Sequence, residues 1–158
     1  MADLPRESAT GVRDRGRGPT ETTRSRLRVL IVDDEPNVCN VLRDACSRFG
    51  YSVTTCNDGD QAIAEARRQT FDVIFLDIRM PGMSGPQVLK VLRRLLPQAA
   101  FVMITAYAES SLVDESLESG AFLCLSKPLS ISEIKDLLEG LSDDREVAWT
   151  LLPGVEKS

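Results

Sequence analysis

The chain has 158 residues, 42% of them hydrophobic and 27% charged, and a formal net charge of −5 at pH 7. This describes one ordinary globular domain with tails, able to bury roughly 65% of its unfolded surface without staples. The acidic balance argues against nucleic-acid binding, no apolar run reaches the ~18–20 residues of a membrane span, and the N-terminus lacks a signal-peptide core.

Residues 1–26 are rich in Arg, Gly, Thr and Ser without apolar periodicity, and read as a disordered tail. From Leu27 the texture changes. Val29-Leu30-Ile31-Val32 is a continuous apolar run of strand length, followed by Asp33-Asp34-Glu35 and then Pro36. Val38, Val41, Leu42, Ala45, Cys46 and Phe49 recur at helical spacing. Tyr51 to Cys56 alternates and is β-branched, which suits an edge strand. Ala62, Ile63 and Ala66 mark a second, shorter helix.

Val73-Ile74-Phe75-Leu76 is a second fully apolar strand and ends in Asp77. Ser84 caps a third helix carrying Val88, Leu89, Leu92, Leu95 and Leu96, stopped by Pro97. Phe101 to Ile104 is the fourth strand, with Thr105 at its end. A weaker helix with Leu112, Val113 and Leu117 ends at Gly120. Ala121 to Leu125 is the fifth strand and leads to Lys127-Pro128. Ser130 and Glu133 form a capping box for a helix burying Ile134, Leu137, Leu138 and Leu141.

Five strands alternating with five helices predict a doubly wound α/β sandwich with right-handed crossovers, over residues 27–141. Continuous apolar strands suit a parallel sheet covered on both faces. Residues 142–158, with Trp149, Leu151 and Leu152, are too few for a second domain, so no output domain is expected after Leu141.

Four cysteines, Cys39, Cys46, Cys56 and Cys124, form no CxxC pair, and the chain has no histidine. A zinc site would need all four thiolates at a spacing that does not suggest one. Buried free thiols are the simpler reading, which fits a reducing cytoplasm.

In such a sheet, ligands bind beyond the carboxyl ends of the strands. Asp33, Asp34, Glu35, Asp77, Thr105 and Lys127 all fall there. Carboxylates placed about 4–5 Å apart repel by roughly 3–4 kcal/mol per pair at an effective dielectric near 20. A hard divalent cation relieves that repulsion, and few carboxylates with waters and a phosphate oxygen are the usual set for Mg²⁺. Lys127 adds a mobile positive charge and Thr105 a hydroxyl donor. Taken singly, each has an ordinary structural role: a helix cap, acids complementing a dipole, a loop lysine. Their convergence on one edge of the sheet does not.

The motifs Val29-Leu30-Ile31-Val32-Asp33-Asp34-Glu35, Asp77-Ile78-Arg79-Met80-Pro81-Gly82-Met83-Ser84-Gly85, Ile104-Thr105-Ala106-Tyr107 and Lys127-Pro128 resemble the CheY-like receiver domains of two-component response regulators. The resemblance implies a flavodoxin-like strand order 2-1-3-4-5. It implies that Asp77 takes a phosphoryl group from a phosphohistidine on a sensor histidine kinase or a histidine phosphotransfer protein. It also implies that Asp34 and Asp77, with Asp33 and the backbone carbonyl of Arg79, hold Mg²⁺ or Mn²⁺. Thr105 and Lys127 would bind phosphoryl oxygens, and the Lys127-Pro128 peptide would be cis. Arg79 and Tyr107 stand at the family positions bordering the path of hydrolytic water. Cys124 stands where many receivers carry an aromatic that turns inward on activation. Strand alternation would put Phe122 on the same face as Cys124, one pleat away.

The leading expectation is therefore a stand-alone, cytoplasmic phosphoacceptor that relays its phosphoryl group or docks on a protein target, without direct DNA binding. The docking surface would be the fourth helix, fifth strand and fifth helix, where the apolar segment Val147 to Leu152 could also pack. The alternative is a Mg²⁺-dependent phosphatase with an aspartyl nucleophile. Asp33-Asp34-Glu35-Pro36 lacks the Asp-x-Asp pattern of the haloacid-dehalogenase type, and no cap domain is evident. A flavodoxin-like cofactor binder fits worse, because the acidic pocket would repel a flavin phosphate.

Overall fold

The computed structural model describes residues 27–106 and 111–143. Its elements alternate without exception: β1 (Arg28–Val32), α1 (Pro36–Arg48), β2 (Ser52–Cys56), α2 (Gly59–Arg68), β3 (Val73–Asp77), α3 (Gly85–Leu95), β4 (Ala100–Thr105), α4 (Ser111–Glu118), β5 (Leu123–Ser126) and α5 (Ile131–Asp143). All strands pair in parallel in the order β2-β1-β3-β4-β5. The switch point lies between β1 and β3, so the carboxyl ends of those two strands open onto one crevice.

Alternation along each strand divides the core in two. Leu30, Val32, Ile74, Leu76, Phe101 and Met103 point to one face, against Ala62 and Ala66 of α2 and Val88, Leu89 and Leu92 of α3. Val29, Ile31, Val73, Phe75, Val102 and Ile104 point to the other, against Cys39, Leu42 and Cys46 of α1 and Ile134, Leu137 and Leu138 of α5. Each fully buried Leu, Ile or Phe contributes about 1.5–3 kcal/mol by leaving water. Strands β3 and β4 are buried along their whole length, and so read as unbroken apolar runs.

Local signals set the helix ends. Asp58 accepts a hydrogen bond from the Gln61 N–H at 2.8 Å and starts α2. Ser84 and Gln87 form a reciprocal capping box on α3. The Glu133 N–H donates to Ser130 Oγ at 3.2 Å. Gly120, with φ +107°, follows α4 in a conformation other residues reach only with strain.

The fifth strand departs from expectation. It starts at Leu123, two residues later than the apolar run suggests, and extends to Ser126. Alternation therefore holds only from Leu123 onward. Phe122 packs with Leu123 and Leu125 on the α1/α5 side, whereas Cys124 packs on the opposite side with Leu112 and Val113. Phe122 and Cys124 do not share a face. The N-terminal tail, Tyr107 and the segment from Val147 to Leu152 lie outside the described residues.

Candidate functional site

Strand ends bring the predicted residues together. Asp33 follows β1 and is wholly buried. Its N–H donates to the Cys56 carbonyl at 3.1 Å, which ties the end of β1 to β2. Its own carbonyl accepts from Cys39 Sγ at 3.3 Å and Asn57 Nδ2 at 3.4 Å. Its Oδ1 accepts the Glu35 N–H at 2.9 Å. Asp77 ends β3 with only 4% exposure, and its Oδ1 accepts the Arg79 N–H at 3.2 Å. Carboxylate oxygens of Asp33, Asp34 and Asp77 lie within 4.8 Å of one another, Asp34 being the most exposed of the three.

Lys127 enters from the far side of the sheet. Its N–H donates to the Thr105 carbonyl at 2.8 Å, so β4 and the turn after β5 are joined, and the following Lys127-Pro128 peptide is cis. That turn carries Nζ to 3.2 Å from Asp33 Oδ2, 2.9 Å from Glu35 Oε1 and 3.6 Å from Asp77 Oδ2. Thr105 is buried at the end of β4.

The electrostatics follow from this crowding. Burial, then the neighbouring Asp33 charge, pushes the Asp77 carboxyl up to about 7, against the opposing pull of Lys127 and the Arg79 N–H. Burial works to lower the Lys127 ammonium, yet the hydrogen bond to Glu35 and the charges of Asp77 and Asp33 hold it above its ordinary value. Asp33 Oδ2 is buried and accepts no well-aligned hydrogen bond, despite the nearby lysine. A buried carboxylate oxygen left in that condition, facing two other carboxylates, is the donor set a hard cation such as Mg²⁺ takes.

The carboxylates of Asp33, Asp34 and Asp77 and the Lys127 ammonium thus lie together, Thr105 is buried at the end of the adjoining strand β4, and Arg79 donates its N–H to Asp77. Tyr107 lies outside the described residues. Cys124 is half-buried in β5, paired in register with Met103 of β4. Two contacts go beyond what the sequence suggests. The Glu35 side chain takes the shortest Lys127 contact; the third acid in the run after β1 is its signal. Gly85 packs directly on the backbone of Asp77 and Ile78. Its signal is a glycine in the first turn of a strongly patterned helix, where propensity disfavours it.

Comparison with known proteins agrees with this geometry. Residues 29–139 match the family model of the response regulator receiver domain. The transcriptional regulatory protein ZraR of Escherichia coli is 34% identical over 117 residues, covering 74% of this chain and 26% of ZraR. The chain therefore spans about a quarter of that relative's length. Sporulation initiation phosphotransferase F of Bacillus subtilis is 31% identical over 112 residues, covering 71% of this chain and 90% of that protein. A CheY-like receiver domain protein of Methanospirillum hungatei superposes with a TM-score of 0.73 at 26% identity, over 78% of this chain and 98% of its own. The receiver domain of the sensor histidine kinase PA1611 from Pseudomonas aeruginosa superposes at 0.66 and 28% identity, over 73% of this chain and 96% of its own; it coordinates magnesium in its active-site cleft.

Proposed function

Since the chain belongs to the response regulator receiver family, we propose that Asp77 accepts a phosphoryl group from a phosphohistidine on a sensor histidine kinase or histidine phosphotransfer protein. A carboxylate oxygen of Asp77 attacks phosphorus, the new P–O bond forms as the P–N bond breaks, and the imidazole leaves and takes a proton from water. The attacking form is the carboxylate. Lys127 favours that form, and burial opposes it.

Mg²⁺, when bound, neutralises the carboxylates and the incoming phosphoryl oxygens. Asp33, Asp34 and Asp77, with the Arg79 carbonyl, would hold it, and Mn²⁺ suits the same oxygen donors. Thr105 and Lys127 would hold phosphoryl oxygens. The observation that carries this reading is a buried aspartate at a strand end, flanked by two further carboxylates and a lysine. No observation favours the phosphatase alternative. Output would pass to a downstream protein target by relay or docking. Arg79 and Tyr107 would shield the acyl phosphate from water.

Incubation with acetyl phosphate tests the assignment. Labelling should require Mg²⁺, be lost in Asp77→Asn and fall strongly in Asp34→Ala. Equal labelling of Asp77→Asn and wild type would end it.

A further inference from the structure

Three carboxylates surround the Lys127 ammonium, at 2.9 Å for Glu35 Oε1, 3.2 Å for Asp33 Oδ2 and 3.6 Å for Asp77 Oδ2. The shortest is a directed hydrogen bond from Nζ to Glu35, while Asp33 Oδ2 accepts none. Glu35 is the odd member of the set. The Asp33 and Asp77 side chains are 0% and 6% exposed, but the Glu35 side chain is 59% exposed and stands outside the carboxylate trio.

Nor does its own helix use it. Glu35 is the residue before Pro36 at the start of α1, yet its side chain makes no capping hydrogen bond, whereas Asp58 and Ser84 cap α2 and α3. Its carboxylate instead meets a lysine 92 positions away. Its backbone meanwhile orients the pocket, through the N–H donated to Asp33 Oδ1 at 2.9 Å. One residue thus fixes a buried carboxylate with its main chain and draws the lysine outward with its side chain.

We infer that Glu35 is a positioning residue that holds Lys127 at the rim of the pocket, so that the lysine must leave Glu35 to bind a phosphoryl group on Asp77. This inference rests on the phosphoacceptor reading above. Phosphorylation places three oxygen acceptors beside Asp77, on the inner side of the lysine. Lys127 has three donor hydrogens but one position, and an inward move breaks the bond to Glu35. The contact therefore favours the unphosphorylated state. Exposed ion pairs of this kind correspond to about a two- to fivefold change in an equilibrium constant.

The test uses beryllofluoride as the phosphoryl mimic at saturating Mg²⁺, with affinity read by ¹⁹F NMR. Glu35→Ala removes the partner, and Glu35→Asp keeps the charge but shortens the reach by one methylene. Both should bind beryllofluoride about two- to fivefold more tightly than wild type. In the metal-free protein, the Lys127 ammonium signal in ¹⁵N NMR should exchange faster with water in both variants. Wild-type affinity in both would reduce Glu35 to a surface ion pair and overturn the inference. Tighter binding by Glu35→Ala with wild-type binding by Glu35→Asp would also overturn it, because charge alone would then be the cause. Failure of the wild type to bind beryllofluoride at all has a different signature: it overturns the phosphoacceptor reading, and this inference with it.

Discussion

A Cβ added to Gly85 would lie 2.6 Å from the carbonyl oxygen of Asp77 and 2.6 Å from the Cα of Ile78, closer than side-chain carbons approach backbone. The first turn of α3 therefore rests directly on the segment that carries the proposed phosphoacceptor, and the Gly85 N–H donates to the Ile78 carbonyl at 2.8 Å. Neither side of this contact is a flexible side chain, so an extra methyl must displace backbone. Gly85→Ala should cost about 1–3 kcal/mol in urea denaturation, as overpacking does. Acetyl phosphate labelling should slow severalfold, because the displaced backbone is that of Asp77. Gly82 is the control: it has φ +81° and open space around it. Gly82→Ala should carry only a backbone penalty of about 1 kcal/mol and label at nearly the wild-type rate. Equal labelling of the two variants would show that the close approach does not position Asp77.

The raised Asp77 carboxyl makes metal-free stability depend on pH. Burial and the Asp33 charge lift it from an ordinary 3.8 to about 7, so between those values the folded protein keeps a proton that the unfolded chain has released. Stability from this group is complete below pH 3.8 and is lost as pH rises through about 7. Asp77→Asn removes the titration. In EDTA it should be more stable than wild type at pH 8 by on the order of 2–4 kcal/mol, and this advantage should shrink towards pH 4. Mg²⁺ favours the ionised carboxylate, so it should raise the wild-type Tm more than that of Asp77→Asn. Thermal melts at pH 4.5, 6 and 8, with and without Mg²⁺, check both signs. A pH-independent difference would contradict the burial argument.

Most of the fold was legible because its strands are buried on both faces and its helices carry strong stops. Val73 to Leu76 and Phe101 to Ile104 have no polar residue that another structure would need to satisfy. Site residues at strand ends were legible because a charge directly after a buried apolar run is costly unless a partner meets it there. Contacts made across the sheet were not. Nothing local in Cys39 or Asn57 says that their side chains hold the Asp33 carbonyl, since the fold and not the chain brings them to it. The Glu35 contact with Lys127 was hidden for the same reason. Phe122 lies on the opposite face from the one alternation predicts because β5 begins only at Leu123, and the backbone before it is not yet extended strand.

Arg93 and Gly120 form a second close pair, away from the pocket. Arg93 Nη1 donates to the Ser119 carbonyl at 3.1 Å and so satisfies an acceptor just past the end of α4. A Cβ on Gly120 would collide with the Arg93 guanidinium, and Gly120 also has φ +107°. Gly120→Ala therefore carries two penalties: left-handed backbone strain of roughly 1 kcal/mol and displacement of Arg93 from its carbonyl. Only the second can vanish with the arginine. Gly120→Ala should cost about 1–2 kcal/mol in wild type and measurably less in an Arg93→Ala background. Chemical denaturation of the double-mutant cycle reads the difference. Strict additivity would mean that the guanidinium does not cap α4.

The four thiols should be unreactive in the folded protein, and Cys124 should be the first to yield. Burial pushes Cys46 up to about 11 and Cys56 up to about 12, and it also raises Cys39. Burial, with a smaller contribution from Asp114, pushes Cys124 up to about 11. At pH 8 about one Cys124 in a thousand is then thiolate, the species that attacks alkylating reagents. Cys124 is half-buried while the other three are buried, so reagent reaches it without the core opening. Iodoacetamide at pH 8 should therefore modify Cys124 slowly and before the others. Its rate should climb about tenfold per pH unit up to pH 10, since the thiolate fraction rises in that proportion below its pKa. In guanidinium all four should react at once. Peptide mapping of the modified chain identifies the site. Rapid reaction of Cys124 at pH 7, at the rate of an exposed thiol, would show that β5 and α4 do not shelter it, and would reopen the packing of that face.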